Sequence, residues 1–495
     1  MPDQNRTYPP RRRKPKRRLN PNFIIIVVLA LILAVLVVAA IVLTKNPPAK
    51  DNGLAPAPTT APTSPSTEPS VPDSSDPITQ PTDPSTAPST EPSTEPTVPS
   101  TEPSAPVGPA VVGSANIVNT GDILMHMPCV NPCAIGDGKY DFSPYFTHIT
   151  PYVSAFDYAV VNFETTTASL KNGYKYSGVP NLNTPDEIVT ALKNAGFDML
   201  LTANNHTYDT QTQGFFRTQE VIRQNGLDYT GTISDPADHN FLIKEIDGIR
   251  IGMICYTYET NADPDKVALN VGPTLSKDIE ALINTFYKTD MDTYRKDLTA
   301  DLAAMRAAGA EAIVLYMHWG EEYVLQHDSN QTAMAQIACD LGVDVIVGGH
   351  PHVVQPMELL TNSNNPEQKT ICLYSTGNAL SNQRQGNLPS YIQTAHTEDG
   401  ALFSFRFVKY EDGTVRVEDV ELVPLWCNMY TSSATGKVVY DLLPLDPEVE
   451  DWKTELDLTD SSLKKAQDSF DRTMAIVGEG LEEIKDYLAT LPPVE

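Results

Sequence analysis

Carboxylate, amide and imidazole side chains sit directly after apolar runs at five places in this chain. Asp122 follows Ile117-Val118, and Glu164 follows Ala159-Val160-Val161. Asn205-His206 follows Met199-Leu200-Leu201, His318 follows Ile313-Val314-Leu315, and His350-Pro351-His352 follows Val345-Ile346-Val347. The apolar runs read as buried strands, and in α/β sheets ligands bind beyond the carboxyl ends of the strands. Oxygen and nitrogen groups converging there are the donors that one divalent transition metal, or a pair, requires.

Each motif also has a plainer reading. Thr120-Gly121-Asp122 could be an ordinary turn, since Gly and Asp favour turns, and Glu164 in Asn162-Phe163-Glu164 could be a solvated loop carboxylate. Asn204-Asn205-His206 with Asp209 is more pointed, because an amide oxygen can ligate a metal while the neighbouring imidazole donates a proton. His318 could be a structural histidine, but Gly320 in His318-Trp319-Gly320-Glu321-Glu322-Tyr323 lets the backbone turn and leaves the imidazole at the sheet edge. In Gly348-Gly349-His350-Pro351-His352 two imidazoles one residue apart in a rigid turn suit two neighbouring ions. Asn378 and Asn382, in Ser375-Thr376-Gly377-Asn378 and Ser381-Asn382-Gln383, suit the lining of a pocket better than ligation.

The elements that would position these groups alternate between strand and helix, which predicts a parallel or mixed layered sheet. Thr184-Pro185-Asp186-Glu187 reads as a capping box opening a helix that stops at Gly196. Further helices are predicted over about 213–225, 290–308 and 330–340. Residues 401–410 and 414–424 flank Glu411-Asp412-Gly413 in a hairpin pattern. The globular domain is placed at 111–440, with a helical extension over 441–495 that packs on its own domain.

Ahead of that domain the composition is different. Residues 1–22 form a basic tail, and 23–43 are 21 uninterrupted apolar residues, about 30 Å of helix and enough to span a bilayer core. Basic residues before this segment keep the N-terminus cytoplasmic and place everything after it outside. It reads as an uncleaved anchor rather than a signal peptide, because Lys45-Asn46-Pro47 follows instead of a small-residue cleavage site. Residues 44–110 are rich in Pro, Ser, Thr and Glu and form a disordered spacer of at most roughly 200 Å. Nine of the 35 Lys/Arg and one of the 63 Asp/Glu lie in the first 45 residues, leaving 26 basic against 62 acidic residues. So acidic a body repels nucleic acid, which is set aside as a partner. Six cysteines do not make a disulfide scaffold. Cys129 and Cys133 could close a short disulfide near Asp122 or remain free thiols.

In order and in kind these motifs resemble the CapA-type poly-γ-glutamate capsule biosynthesis proteins of the metallophosphatase superfamily. The resemblance rests on Gly121-Asp122, Asn162-Phe163-Glu164, Ala203-Asn204-Asn205-His206 with Asp209, His318-Trp319-Gly320 with Glu322-Tyr323, Gly349-His350-Pro351-His352 through Glu358, and Ser375-Thr376-Gly377-Asn378 with Ser381-Asn382-Gln383. It covers about residues 114–385. It implies a four-layer αββα sandwich of the calcineurin-like phosphoesterase kind. It further implies two divalent ions (Mn, Zn, Fe or Mg) on Asp122, Asn205, His318, His350 and His352, with Glu164 bridging and His206 as general acid. Asn162, Asn204, Asp209, Trp319, Glu322, Asn378 and Asn382 would line the pocket. Phosphoesterases carry a His two residues after the first Asp. Position 124 is Leu here, and the nearest histidine is His126.

Two roles stay open at this level. One is a metal-dependent hydrolase acting on a capsule or other envelope polymer. The other is a non-catalytic subunit of a membrane synthesis and export complex, docked to synthase subunits and an anionic polymer.

Overall fold

The computed structural model describes residues 109–260, 266–270, 272–392 and 394–491. The basic tail, the apolar segment 23–43 and all but the last two residues of the spacer lie outside them. Among the described residues no helix is long and apolar enough to cross a membrane.

Two sheets stack face to face. The first runs in the order Val438–Pro444, Val415–Thr431, Asp399–Tyr410, Val111–Ile123, Tyr158–Asn162, Met199–Leu201 and Asp228–Thr230, with Asn378–Leu380 beside the end of Val111–Ile123. The second runs Met357–Thr361, Lys369–Leu373, Val345–Gly349, Ala312–His318, Ile249–Tyr258 and Leu242–Ile246. The central pairs of both sheets are parallel, whereas Asp399–Tyr410 runs antiparallel to Val111–Ile123. One apolar core lies between the sheets, built from Ile117, Val160, Phe403 and Phe405 on one side and Ile251, Val314, Val345 and Leu373 on the other. Helices Glu187–Asn194 and Gln211–Gln224 cover the outer face of the first sheet. Helices Met291–Ala307 and Ser329–Asp340 cover that of the second. The arrangement is therefore a mixed α/β sandwich of four layers.

Local signals explain some helix starts and miss at one. Asp290 caps the helix Met291–Ala307 through Thr293 N–H. Asp328 and Gln331 form a complete capping box at Ser329–Asp340. The capping box expected at Thr184 does not form. The helix starts at Glu187: Thr184 N–H goes to Thr166 O at 2.9 Å and Glu187 Oε1 accepts Tyr140 N–H at 3.4 Å, so neither half of the box closes. The hairpin strands run longer than the pattern suggested, to Asp399–Tyr410 and Val415–Thr431. Strand Val438–Pro444 straddles the domain boundary drawn at residue 440 and pairs with Val415–Thr431, so the helical extension begins after it.

That extension is dominated by one helix, Asp460–Thr490. Its Val477, Leu481 and Ile484 enter the core between the sheets, which makes it part of the sandwich. Arg472 forks onto the buried Asp399 carboxylate at 2.7 Å to each oxygen, and Ser469 Oγ adds a third bond at 2.6 Å. Lower down the helix lies so close to strand Met357–Thr361 that a Cβ on Gly480 would stand 2.1 Å from Met357 O.

Two glycines in this helix should therefore respond with opposite signs. Gly478 has open space, its nearest neighbour being Met474 Cε at 4.0 Å. Gly478→Ala should raise the unfolding free energy by roughly 0.5–1 kcal/mol, the usual helix-interior gain. Gly480→Ala should lower it by roughly 1–3 kcal/mol through overpacking. Urea midpoints of the two variants check the pair. A gain from Gly480→Ala would mean the helix does not seat against that strand.

Candidate metal centre

The carboxyl ends of both parallel strand sets open toward one another, and the candidate residues meet there. Asp122 ends its strand in register with Asn162 and Asn378, while His318 ends its own opposite Gly349. Glu164 and Asn204–His206 follow the next two strands of the first sheet, and His350 and His352 follow Val345–Gly349. Gly348 and Gly349 let that turn approach: a Cβ on Gly348 would lie 1.9 Å from Tyr374 O, and one on Gly349 3.1 Å from Asp122 Oδ1. His350 and His352 take φ of 96° and 57°. Such backbone costs of order 1–3 kcal/mol per residue and is found where function requires it.

Glu164 lies at the centre. It is fully buried, and neither carboxylate oxygen has a hydrogen-bond partner. The nearest imidazole nitrogens, Nε2 of His318, His206 and His352, stand 3.6, 3.9 and 3.9 Å from Oε1. These separations are too long for hydrogen bonds. They match two ligands sharing one ion, which stand roughly 3–4 Å apart when each is about 2 Å from the metal. Asp122, Glu164 and His318 bring ligand atoms within 4.8 Å of one another, and so do Glu164, His350 and His352. The two groups share Glu164. Nδ1 of His350 is likewise buried with no partner.

The surrounding contacts hold this set in place. Asn162 Nδ2 donates to Asp122 Oδ1 at 2.7 Å, and Asn204 Nδ2 donates to Asn162 Oδ1 at 3.2 Å and Phe163 O at 3.0 Å. Asn205 Oδ1 stands 2.7 Å from His318 Nε2, inside the cluster. His352 Nδ1 lies 3.3 Å from Asp122 Oδ2 and 3.1 Å from Asn378 Oδ1. His206 Nδ1 meets Asp209 Oδ2 at 2.6 Å, which leaves Nε2 on the Glu164 side.

Electrostatics follow from burial. Desolvation pushes the Glu164 carboxyl well above the ordinary range, and the charges of Asp122 and Glu322 add to it. Burial and the neighbouring imidazoles push His318 and His350 well below theirs, so both are neutral and able to ligate. For His352 burial works downward but is outweighed by Asp122, and the net shift is upward. A buried carboxylate with no hydrogen-bond partner, beside neutral His318 and His350, is unfavourable without a cation or a proton. The donor set therefore fits divalent metal, and Glu164 belongs to both ligand groups.

Some expectations need correction. Trp319 does not line the pocket: it is buried in the outer core, stacked on Tyr374, with its indole N–H on Tyr374 O at 2.9 Å. Asn382 sits behind the site, its Oδ1 taken by the Tyr440 hydroxyl at 2.7 Å and its N–H facing His126 Nδ1 at 3.3 Å. His126 joins neither ligand group, and burial followed by the charges of His352 and His206 lowers it to about 4. Glu322 is exposed, and its charge acts on Glu164 and His352. Cys129 and Cys133 are free thiols, with Cys133 Sγ 3.6 Å from Cys129 O. Sequence reading missed Tyr258, whose ring lies 4.6 Å from His350, although it ends an apolar strand as the others do.

These shifts fix a pH dependence for metal-free protein. Raised pKa values at Glu164 and His352 contribute stability below their unfolded values that is lost as pH climbs through the folded ones. Depressed values at His318 and His350 contribute stability above about pH 6.5 that is lost on acidification. Above pH 7 the latter pair is spent, so wild type in chelator should lose stability as pH rises toward 9. Glu164→Gln should show a shallower slope and no stabilisation by added divalent ions. Urea titrations across pH 5–9 measure both, and parallel slopes would contradict the burial of Glu164 without a partner.

Comparison with known proteins follows the same residues. The family model for the bacterial capsule synthesis protein PGA_cap matches residues 116–383. The capsule biosynthesis protein CapA of Bacillus anthracis is 29% identical over 287 residues, covering 57% of this chain and 62% of that protein. The PGA biosynthesis protein CapA of Bacillus subtilis (strain 168) is 26% identical over 280 residues, covering 56% and 64%. The match thus spans less than two thirds of either relative. Among solved structures, the sulfate thiohydrolase SoxB of Thermus thermophilus, in complex with glycerol, shares 14% identity over 72% of this chain and 61% of that one, with a TM-score of 0.33. The family match begins in the strand that carries Asp122 and ends at Gln383, enclosing every residue of the cluster, and the chain belongs to the bacterial capsule synthesis protein family PGA_cap.

Proposed function

We propose that this protein is a metal-dependent hydrolase of the metallophosphatase kind, acting on a capsule or other envelope polymer. The observation that carries the reading is Glu164, buried without a partner between two overlapping sets of ligand atoms. Asp122, Asn205 and His318 would hold one ion, His350 and His352 a second, with Glu164 between them. Divalent ions bound there supply Lewis acidity, polarising a phosphoryl or acyl oxygen and making water nucleophilic near neutral pH. His206 would protonate the leaving group from Nε2 while Asp209 holds Nδ1. The apolar segment 23–43 and its basic flank support a single-pass anchor with the hydrolase domain outside the cell, reaching its substrate on the Pro-rich spacer.

Metal analysis of the full chain in detergent tests the centre. Wild type should retain Mn, Zn, Fe or Mg after gel filtration, and the His350→Ala, His352→Ala double variant should lose most of it. With an aryl phosphodiester whose poor, phenol-like leaving group needs protonation as probe, His206→Ala should keep its metal and lose roughly 10²–10⁴ in kcat. Wild type that binds no ion under any loading condition would end this reading.

A second reading is supported by the biosynthetic names of both CapA relatives. Here the metal centre is structural and the protein serves synthase and export subunits and their anionic polymer. Capsule yield in cells carrying Asp122→Asn and His206→Ala separates the two. Unchanged yield favours the accessory role, and collapse favours catalysis.

A further inference from the structure

His206 and Asp209 belong to the first sheet, but a third group reaches them from the second. Asn270 lies on the loop that follows strand Ile249–Tyr258, 64 residues from His206. Its Nδ2 stands 2.8 Å from Pro180 O, 3.3 Å from Asp209 Oδ1 and 3.2 Å from His206 Nδ1. An amide nitrogen has two hydrogens. Pro180 O and Asp209 Oδ1 are acceptors only, so they take both, and these contacts fix which way the amide faces. His206 Nδ1 then carries its own proton to Asp209 Oδ2 at 2.6 Å, an oxygen that also accepts Leu182 N–H at 2.6 Å.

Asp209 is thus held on both oxygens, and the Oδ1 partner is Asn270. The loop is built to deliver that amide. Val267 and Leu269 are buried in a small core of their own with Phe215, Leu275, Ile279 and Leu282. Thr260 ties the loop shut, its N–H on Ala268 O at 2.9 Å and its hydroxyl on Asn270 O at 2.9 Å. Asn270 itself takes φ of 50°, a conformation that Asn tolerates better than most side chains.

We propose that Asn270 is a positioning residue for His206. By fixing the Asp209 carboxylate it holds the imidazole in the Nδ1–H tautomer, with Nε2 aimed into the site. This rests on the hydrolase reading for its kinetic consequence, but the placement of the proton does not. During turnover water adds to phosphorus or carbon and gives its proton to solvent as the bond to the departing oxygen breaks; that oxygen takes the Nε2 proton from doubly protonated His206, which is left as the Nδ1–H tautomer until solvent returns the Nε2 proton.

Asn270→Gly tests the amide alone, because glycine accepts φ of 50° without strain. The full chain in detergent, loaded with Mn, should keep wild-type metal content and thermal midpoint. Its kcat should fall roughly tenfold on aryl phosphodiesters with poor, phenol-like leaving groups and far less on 4-nitrophenyl esters, which need little protonation. An equal loss on both would make the loop merely structural and overturn the proposal. A second readout is independent of activity. In 15N-histidine-labelled chain the His206 Nδ1–H should give a downfield, slowly exchanging signal, absent in His206→Gln and exchange-broadened in Asn270→Gly. An unchanged signal in Asn270→Gly would overturn the proposal even if wild type hydrolyses nothing, and the absence of hydrolysis would then count against the hydrolase reading alone.

Discussion

The architecture depends on one electrostatic constraint: a carboxyl group sealed from water with no hydrogen-bond partner. Burying Glu164 unpaired is among the most unfavourable things a fold can do. The imidazoles of His318 and His352 and the Asp122 carboxylate stand close enough to share a cation with it. The other unusual features of the site serve the same end. His350 and His352 accept positive φ, and Gly348 gives up its side chain so that two loops can close on one point.

Much of this was legible in the chain because strands impose a simple rule. A polar side chain just past a buried strand falls at a sheet edge, and several such edges in parallel order share one end of the sheet. Asp122, Glu164, Asn205, His206, His318, His350 and His352 all follow that rule, and all meet. Trp319 did not belong with them. Adjacent strand-end residues point to opposite faces, so the neighbour of an inward His318 goes into the outer core. The Thr184 cap failed for a related reason: Thr166 O takes the Thr184 N–H, and Glu187, the carboxylate that local pattern assigned to it, accepts from Tyr140 N–H, 47 residues away.

Other features had no local signature. Nothing around Asn270 marks it, because its partners arrive from a different sheet and its own anchorage is a small core spread over residues 215–283. The C-terminal helix announced its amphipathic face but not what that face would meet. Val477, Leu481 and Ile484 reach between the sheets only because Met357 comes within van der Waals range of Gly480. The sequence before residue 109 is the reverse case. Its apolar run and basic flank are plain in composition, while the described residues begin after it.

The strand that carries Asp122 lies between Tyr158–Asn162 and Asp399–Tyr410, a neighbour made almost 300 residues later. Vectorial synthesis therefore delivers the earliest ligand long before its flank. A nascent chain stopped short of residue 410 exposes that strand edge, and its half-built cluster has carboxylates and imidazoles but no enclosure. Any ion the cluster holds would therefore be captured late in maturation, from the metal available wherever the last strands and the closing helix finally dock.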